Sequence, residues 1–197
     1  MKNALVRIGV VIGIGFAVTS FVTSKSLYPN GVGIKDSKYT FKMLKPKESD
    51  ELAFEDAALR IVFNIDRHRF KFSLFNKTDN PMKLDWNQIS YVDLSSGSHK
   101  VIHDGVRYIE RDKAIPLTVI PPSAKIDDFI LPTDAVHYAQ SGWNKGWHEE
   151  PLFPKPEKKE ALALKGKTFS AFMPIEINST TKNYNFVFQI TDIVTEK

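Results

Sequence analysis

The sequence predicts a mainly-β fold, an antiparallel sandwich with a barrel as runner-up, and three observations predict it. Apolar residues recur at every second position through much of residues 57–193. Clusters of turn-forming residues interrupt that alternation about every ten positions. The 14 Phe and 3 Trp supply bulky side chains for the space between facing sheets. Helical periodicity is confined to short stretches.

Taken in order, residues 1–24 (MKNALVRIGVVIGIGFAVTSFVTS) read as an address. Lys2 and Arg7 precede an uncharged, largely apolar run over residues 8–22, which is the charge order of an export leader. The run suits a signal peptide cut near Val22-Thr23-Ser24. It equally suits an uncleaved hydrophobic helix over residues 4–24 that anchors the chain in a membrane, with both cations inside. Either way the expected location is exported, periplasmic or on the extracytoplasmic face of the membrane. Gly9 and Gly13 have G-x-x-x-G spacing, although glycine is also ordinary in leaders.

Residues 25–56 are polar and rich in lysine, and they carry Pro29 and Pro46. They are expected to form a tether. One short strand is expected at residues 38–44, where Tyr39, Phe41 and Met43 alternate with polar positions. Residues 49–58 suit a helical turn capped by Ser49 or Asp50.

The sandwich domain is expected over residues 57–197. Leu59, Ile61, Phe63 and Ile65 share one face, and Phe70, Phe72 and Leu74 repeat the pattern after the polar turn Asp66-Arg67-His68-Arg69. That pairing predicts a hairpin. Thr78-Asp79-Asn80-Pro81 is a second turn, followed by alternating Met82, Leu84 and Trp86. A strand ending near Asp93 and another starting near His99 flank Ser95-Ser96-Gly97-Ser98. Residues 157–164 suit a short helical turn. Residues 166–177 and 184–193 read as two strands around a polar turn at residues 178–183.

The stretches 72–86 (FSLFNKTDNPMKLDW), 99–111 (HKVIHDGVRYIER) and 119–124 (VIPPSA) resemble uncharacterised exported or lipid-anchored bacterial β-sandwich proteins. The resemblance spans most of residues 57–193. It implies an immunoglobulin-like fold and a place in the cell envelope, and it carries no activity with it. The chain lacks the leader cysteine that a lipid anchor requires. The same stretches have a scaffold explanation. Asn76 and Asp79 can bond neighbouring backbone at a corner, Pro81 directs the exit, and Pro121-Pro122 suits an edge or a corner between strands.

Composition narrows the chemistry. With Cys 0 there is no disulfide, thiolate metal site or cysteine nucleophile. Lys+Arg 27 stands against Asp+Glu 23, and setting aside Lys2 and Arg7 leaves 25 against 23. So near a balance predicts no strong electrostatic pull toward nucleic acid, despite a pI near 9.1. Phosphate-binding, dinucleotide, calcium-loop and nucleophile-elbow signatures are all missing. No catalytic residue, metal ligand or cofactor is therefore expected.

His99 and His103 are four apart, but on a strand that spacing separates them by roughly 13 Å, too far to share one ion. Asp127-Asp128 and Glu149-Glu150 are adjacent, so on a strand their side chains point to opposite faces. The mixed-charge residues 154–160 read as a solvated loop.

The strongest binding candidates are Tyr138, Trp143, Trp147 and His148. Gly-Trp recurs after four residues in the loop-like segment Ser141-Gly142-Trp143-Asn144-Lys145-Gly146-Trp147. Such indoles anchor a protein partner, stack on a sugar ring, or fold back to cap the sandwich. The function expected from these readings is that of a non-enzymatic envelope protein. It would bind an envelope protein partner, and it would touch the membrane through the N-terminal segment if that is uncleaved. The alternative is a module for a glycan or another small ligand.

Overall fold

A computed structural model describes residues 32–34, 37–154 and 159–195. The leader and its expected helix lie outside the described residues. Among the described residues no helix is long and apolar enough to cross a membrane.

The architecture is mainly β and antiparallel, in a sandwich or barrel-like arrangement. The strands are β1 (Val32–Ile34), β2 (Ser37–Lys45), β3 (Ala53–Glu55), β4 (Leu59–Ile65), β5 (Phe70–Asn76), β6 (Met82–Leu84) and β7 (Ser90–Val92). They continue with β8 (Ser98–Ile102), β9 (Thr118–Ile120), β10 (Lys125–Pro132), β11 (Val136–Ala139), β12 (Gly146–Glu149), β13 (Thr168–Ile177) and β14 (Thr180–Thr195). A single short α-helix, α1 (Lys159–Leu162), occurs among the described residues.

The main sheet runs β1-β2-β14-β13-β7-β8-β10-β5-β4-β3, with β6 bridging β13 to β9. It folds over so that its two ends face each other. β8 makes the corner, pairing with β7 through Ser98, His99 and Lys100 and with β10 through Val101 and Ile102. The hairpin of β4 and β5 shows why the halves face. Both strands alternate buried and outward residues over seven positions, and Ile65 pairs with Phe70 across the four-residue turn. Asp66 closes that turn, its Oδ1 accepting from the backbone N–H of His68 and Arg69 at 2.9 and 2.8 Å.

The buried faces meet in an aromatic core. The Phe63 ring lies 4.9 Å from Phe186 and 5.0 Å from Phe188, and Phe70 lies 5.0 Å from Phe188. Phe41, Phe153 and Phe169 extend the cluster. At the far seam no ladder joins β3 to β14. Contact there comes from Phe54 against Tyr184 and Phe186, and from Asp56, whose Oδ2 accepts from Lys182 Nζ and the Tyr184 hydroxyl.

The strand expected at residues 38–44 forms as β2 within the main sheet, and two later segments differ from the sequence expectation. β2 pairs with β14 along most of its length, and Tyr39, Phe41 and Met43 are fully buried against the aromatic core. Residues 49–58 are not helical. The Ser49 hydroxyl does accept from Ala53 N–H at 3.2 Å, but Leu52 takes a positive φ and β3 then pairs with β4. The polar turn after β13 is only Asn178-Ser179, with φ of 49° and 59°, as a two-residue hairpin loop of the I′ type requires. Thr180 already pairs with Ile177, so the polar residues that follow belong to β14.

Candidate functional site

β11 and β12 stand apart from the main sheet as a two-stranded ribbon. The register pairs Val136 with Glu149, His137 with His148, Tyr138 with Trp147 and Ala139 with Gly146. Residues 140–145 form the tip. Gly142 in the tip and Gly146 at the start of β12 have φ of +90° and +145°, conformations that other residues rarely adopt.

The four predicted residues fall in three environments. Tyr138 and Trp147 are brought together edge to face at 5.4 Å on one side of the ribbon. His148 points to the other side, stacked on His137 at 5.7 Å, with its Nε2 against the Asn144 carbonyl oxygen. Trp143 sits at the tip with 106% relative exposure, so it packs on neither group. The two indoles therefore do not combine into one platform.

Trp147 is instead fixed from several directions. Tyr108, in the 3-10 turn Tyr108–Glu110, meets its ring edge to face at 6.0 Å, and the Arg111 guanidinium lies 5.2 Å from its centroid. Below this layer Glu149 accepts from Arg69 at 2.7 and 3.2 Å and from the Tyr108 hydroxyl. Arg69 also covers the Phe129 ring at 4.4 Å. Burial works to raise the Glu149 carboxyl, but Arg69 and Tyr108 outweigh it and hold it below its ordinary value. The ribbon is thus rooted on the sheet by a charged knot, and its tip stands free.

Sequence reasoning did not assign Tyr108, Arg111 or Arg69 to this site. Tyr108 and Arg111 lie in a stretch that carried the resemblance, but no spacing rule connects residues 69, 108 and 149. The only local signal was the aromatic and basic run Arg107-Tyr108-Ile109-Glu110-Arg111, where Ile109 is now seen exposed.

No family model, curated protein or solved structure matches this chain.

The remaining candidates are each engaged separately. His103 stacks flat on Trp86 at 3.9 Å, and its Nδ1 lies 3.1 Å from Asp128 Oδ2. His99 lies between Asp93 and Asp134. Of the adjacent carboxylates, Asp127 pairs with Lys125 and Asp128 with His103, while Glu149 pairs with Arg69 and Glu150 with His137. Among the described residues no group of three or more His, Cys, Asp or Glu is arranged to hold a metal ion. Residues 155–158 of the mixed-charge loop lie outside the described residues.

Proposed function

We propose that this chain is a non-enzymatic component of a bacterial cell envelope. In this reading it is exported by residues 1–24, anchored or released on the extracytoplasmic side, and folded as an immunoglobulin-like sandwich. It binds another envelope protein through the aromatic ribbon. The observation that carries the reading is Trp143, fully exposed at the tip of a ribbon whose root is held by Arg69, Glu149, Tyr108 and Arg111. A rigid root with a free indole suits an interface anchor, because burying one Trp on a preordered support costs little conformational entropy. The neighbouring Tyr138, 45% exposed, enlarges the same contact.

A sugar-stacking platform is less well supported. Trp147, the indole best placed by its neighbours to act as a floor, already has Arg111 over its ring. The test is crosslinking of the tagged chain in its native host, followed by mass spectrometry of what co-purifies. A reproducible envelope protein captured by the wild type and lost in Trp143→Ala is the expected result. Capture that is indifferent to both Trp143→Ala and Tyr138→Ala would remove the ribbon from the interface.

A further inference from the structure

His99 stands between two carboxylates. Its Nδ1 lies 2.6 Å from Asp134 Oδ2, and its Nε2 lies 3.2 Å from Asp93 Oδ2. A neutral imidazole has one N–H and one bare nitrogen, whereas an ionised carboxylate only accepts. In the neutral ring one contact would set a lone pair against a negatively charged oxygen. Both contacts are satisfied together only when the ring carries both protons.

The two acids belong to different parts of the fold. Asp93 is fixed in the β7–β8 loop, its Oδ1 accepting from Ser95 N–H and Gly97 N–H at 2.8 and 2.7 Å. Asp134 lies in the 3-10 turn Thr133–Ala135, which runs directly into β11. From β7, Tyr91 packs against the imidazole at 6.1 Å, and among the described residues its buried hydroxyl has no hydrogen-bond partner. Asp93, Asp134 and Tyr91 are thus the titratable groups that face His99.

We infer that His99 is a pH-released latch on the root of the ribbon. As imidazolium it ties the turn that launches β11 to the β7–β8 loop, and on losing a proton it keeps only one of the two carboxylate contacts, so the tie between turn and loop is broken. Burial disfavours the charged ring, but Asp134 and Asp93 outweigh it and raise its pKa above the ordinary imidazole value. The latch is therefore closed on the acid side and opens as pH rises. Any consequence for partner binding rests on the reading given above, whereas the coupling of His99 to the ribbon root does not.

The test is an NMR titration of the labelled full chain, following the His99 ring and the amides of Asp134 and Val136. The ring midpoint should lie above about 6.5, and both amides should shift with that same midpoint. Asp134→Asn should lower the midpoint, and His99→Gln should abolish the amide shifts there. A midpoint at or below about 6.5, or amides that ignore the His99 transition, would overturn the latch. Partner capture is measured separately, so its failure beside an intact titration pattern would count against the functional reading alone.

Discussion

Arg69 and Glu149 lie eighty positions apart in the chain and meet through two hydrogen bonds, Nη2 to Oε1 at 2.7 Å and Nε to Oε2 at 3.2 Å. The pair joins the β4–β5 turn to the last residue of β12, so it sets where the ribbon leaves the sheet. Its geometry is the planar, two-pronged match that distinguishes arginine from lysine. Glu149→Ala removes the acceptor for both Arg69 and Tyr108, and it is expected to cost about 1–3 kcal/mol in urea unfolding. Glu150→Ala, at a largely exposed neighbour, should stay within about 0.5 kcal/mol of wild type. Equal effects at the two positions would show that Glu149 does not root the ribbon.

Trp143 and Trp147 should separate stability from binding. Trp147 makes edge-to-face contacts with Tyr108 and Tyr138, each worth about 0.5–1.5 kcal/mol. Trp147→Ala is therefore expected to destabilise by about 1–3 kcal/mol. Trp143 is fully exposed among the described residues, so Trp143→Ala should leave the unfolding midpoint unchanged while weakening partner capture. Chemical unfolding of both variants, run beside the crosslinking assay, checks the split. A large loss of stability in Trp143→Ala would mean that its indole packs in solution.

The fold was legible where physics acts locally. Alternation located β4 and β5, because one buried face imposes a period of two. Asp66 marked their turn, because a short carboxylate can accept from the next backbone N–H groups. Tyr39, Phe41 and Met43 alternated equally well, yet charged and turn-forming neighbours concealed that their strand is covered by the aromatic core. The candidate site divides the same way. Gly142, Trp143, Gly146 and Trp147 stood out by composition and spacing. The Arg69, Tyr108 and Arg111 support depends on contacts between distant segments, which no local pattern encodes. The separation of the two indoles into a packed and a free one follows from ribbon register, since Tyr138 pairs with Trp147 and Trp143 falls in the loop.

Asn76 is the fully buried polar hub of the corner after β5. Its Nδ2 donates to the carbonyls of Asn80, Ile120 and Pro121 at 2.8, 3.1 and 3.1 Å, and its Oδ1 accepts from Thr78 N–H and Oγ1. Asn76→Ala leaves these groups without their partner and is expected to cost about 2–4 kcal/mol. Asn76→Asp keeps the Thr78 contacts but turns a carboxylate toward three carbonyl oxygens, so at neutral pH it should be the more damaging change. Unfolding free energies rank the two variants. If the aspartate variant proved the more stable, the amide orientation described here would be wrong.

Asp56 provides the acid-sensitive contact at the seam that lacks a ladder. Its Oδ1 accepts from Ala58 and Leu59 N–H at 2.8 and 2.9 Å, and its Oδ2 accepts from Lys182 and Tyr184 at 2.7 and 2.9 Å. Burial works to raise the carboxyl, but Lys182, the two backbone donors and Tyr184 together lower it below its ordinary value. A lowered folded-state pKa means that the ionised group stabilises the fold above the unfolded value of about 3.9, and that this stabilisation is lost as pH falls through the folded value. Asp56→Asn should therefore cost about 1–2 kcal/mol near neutral pH. The gap to wild type should narrow as pH falls below about 4. The comparison requires unfolding curves for both proteins across that range. A gap that stays constant down to about pH 2 would mean that the charge of Asp56 contributes nothing to the seam.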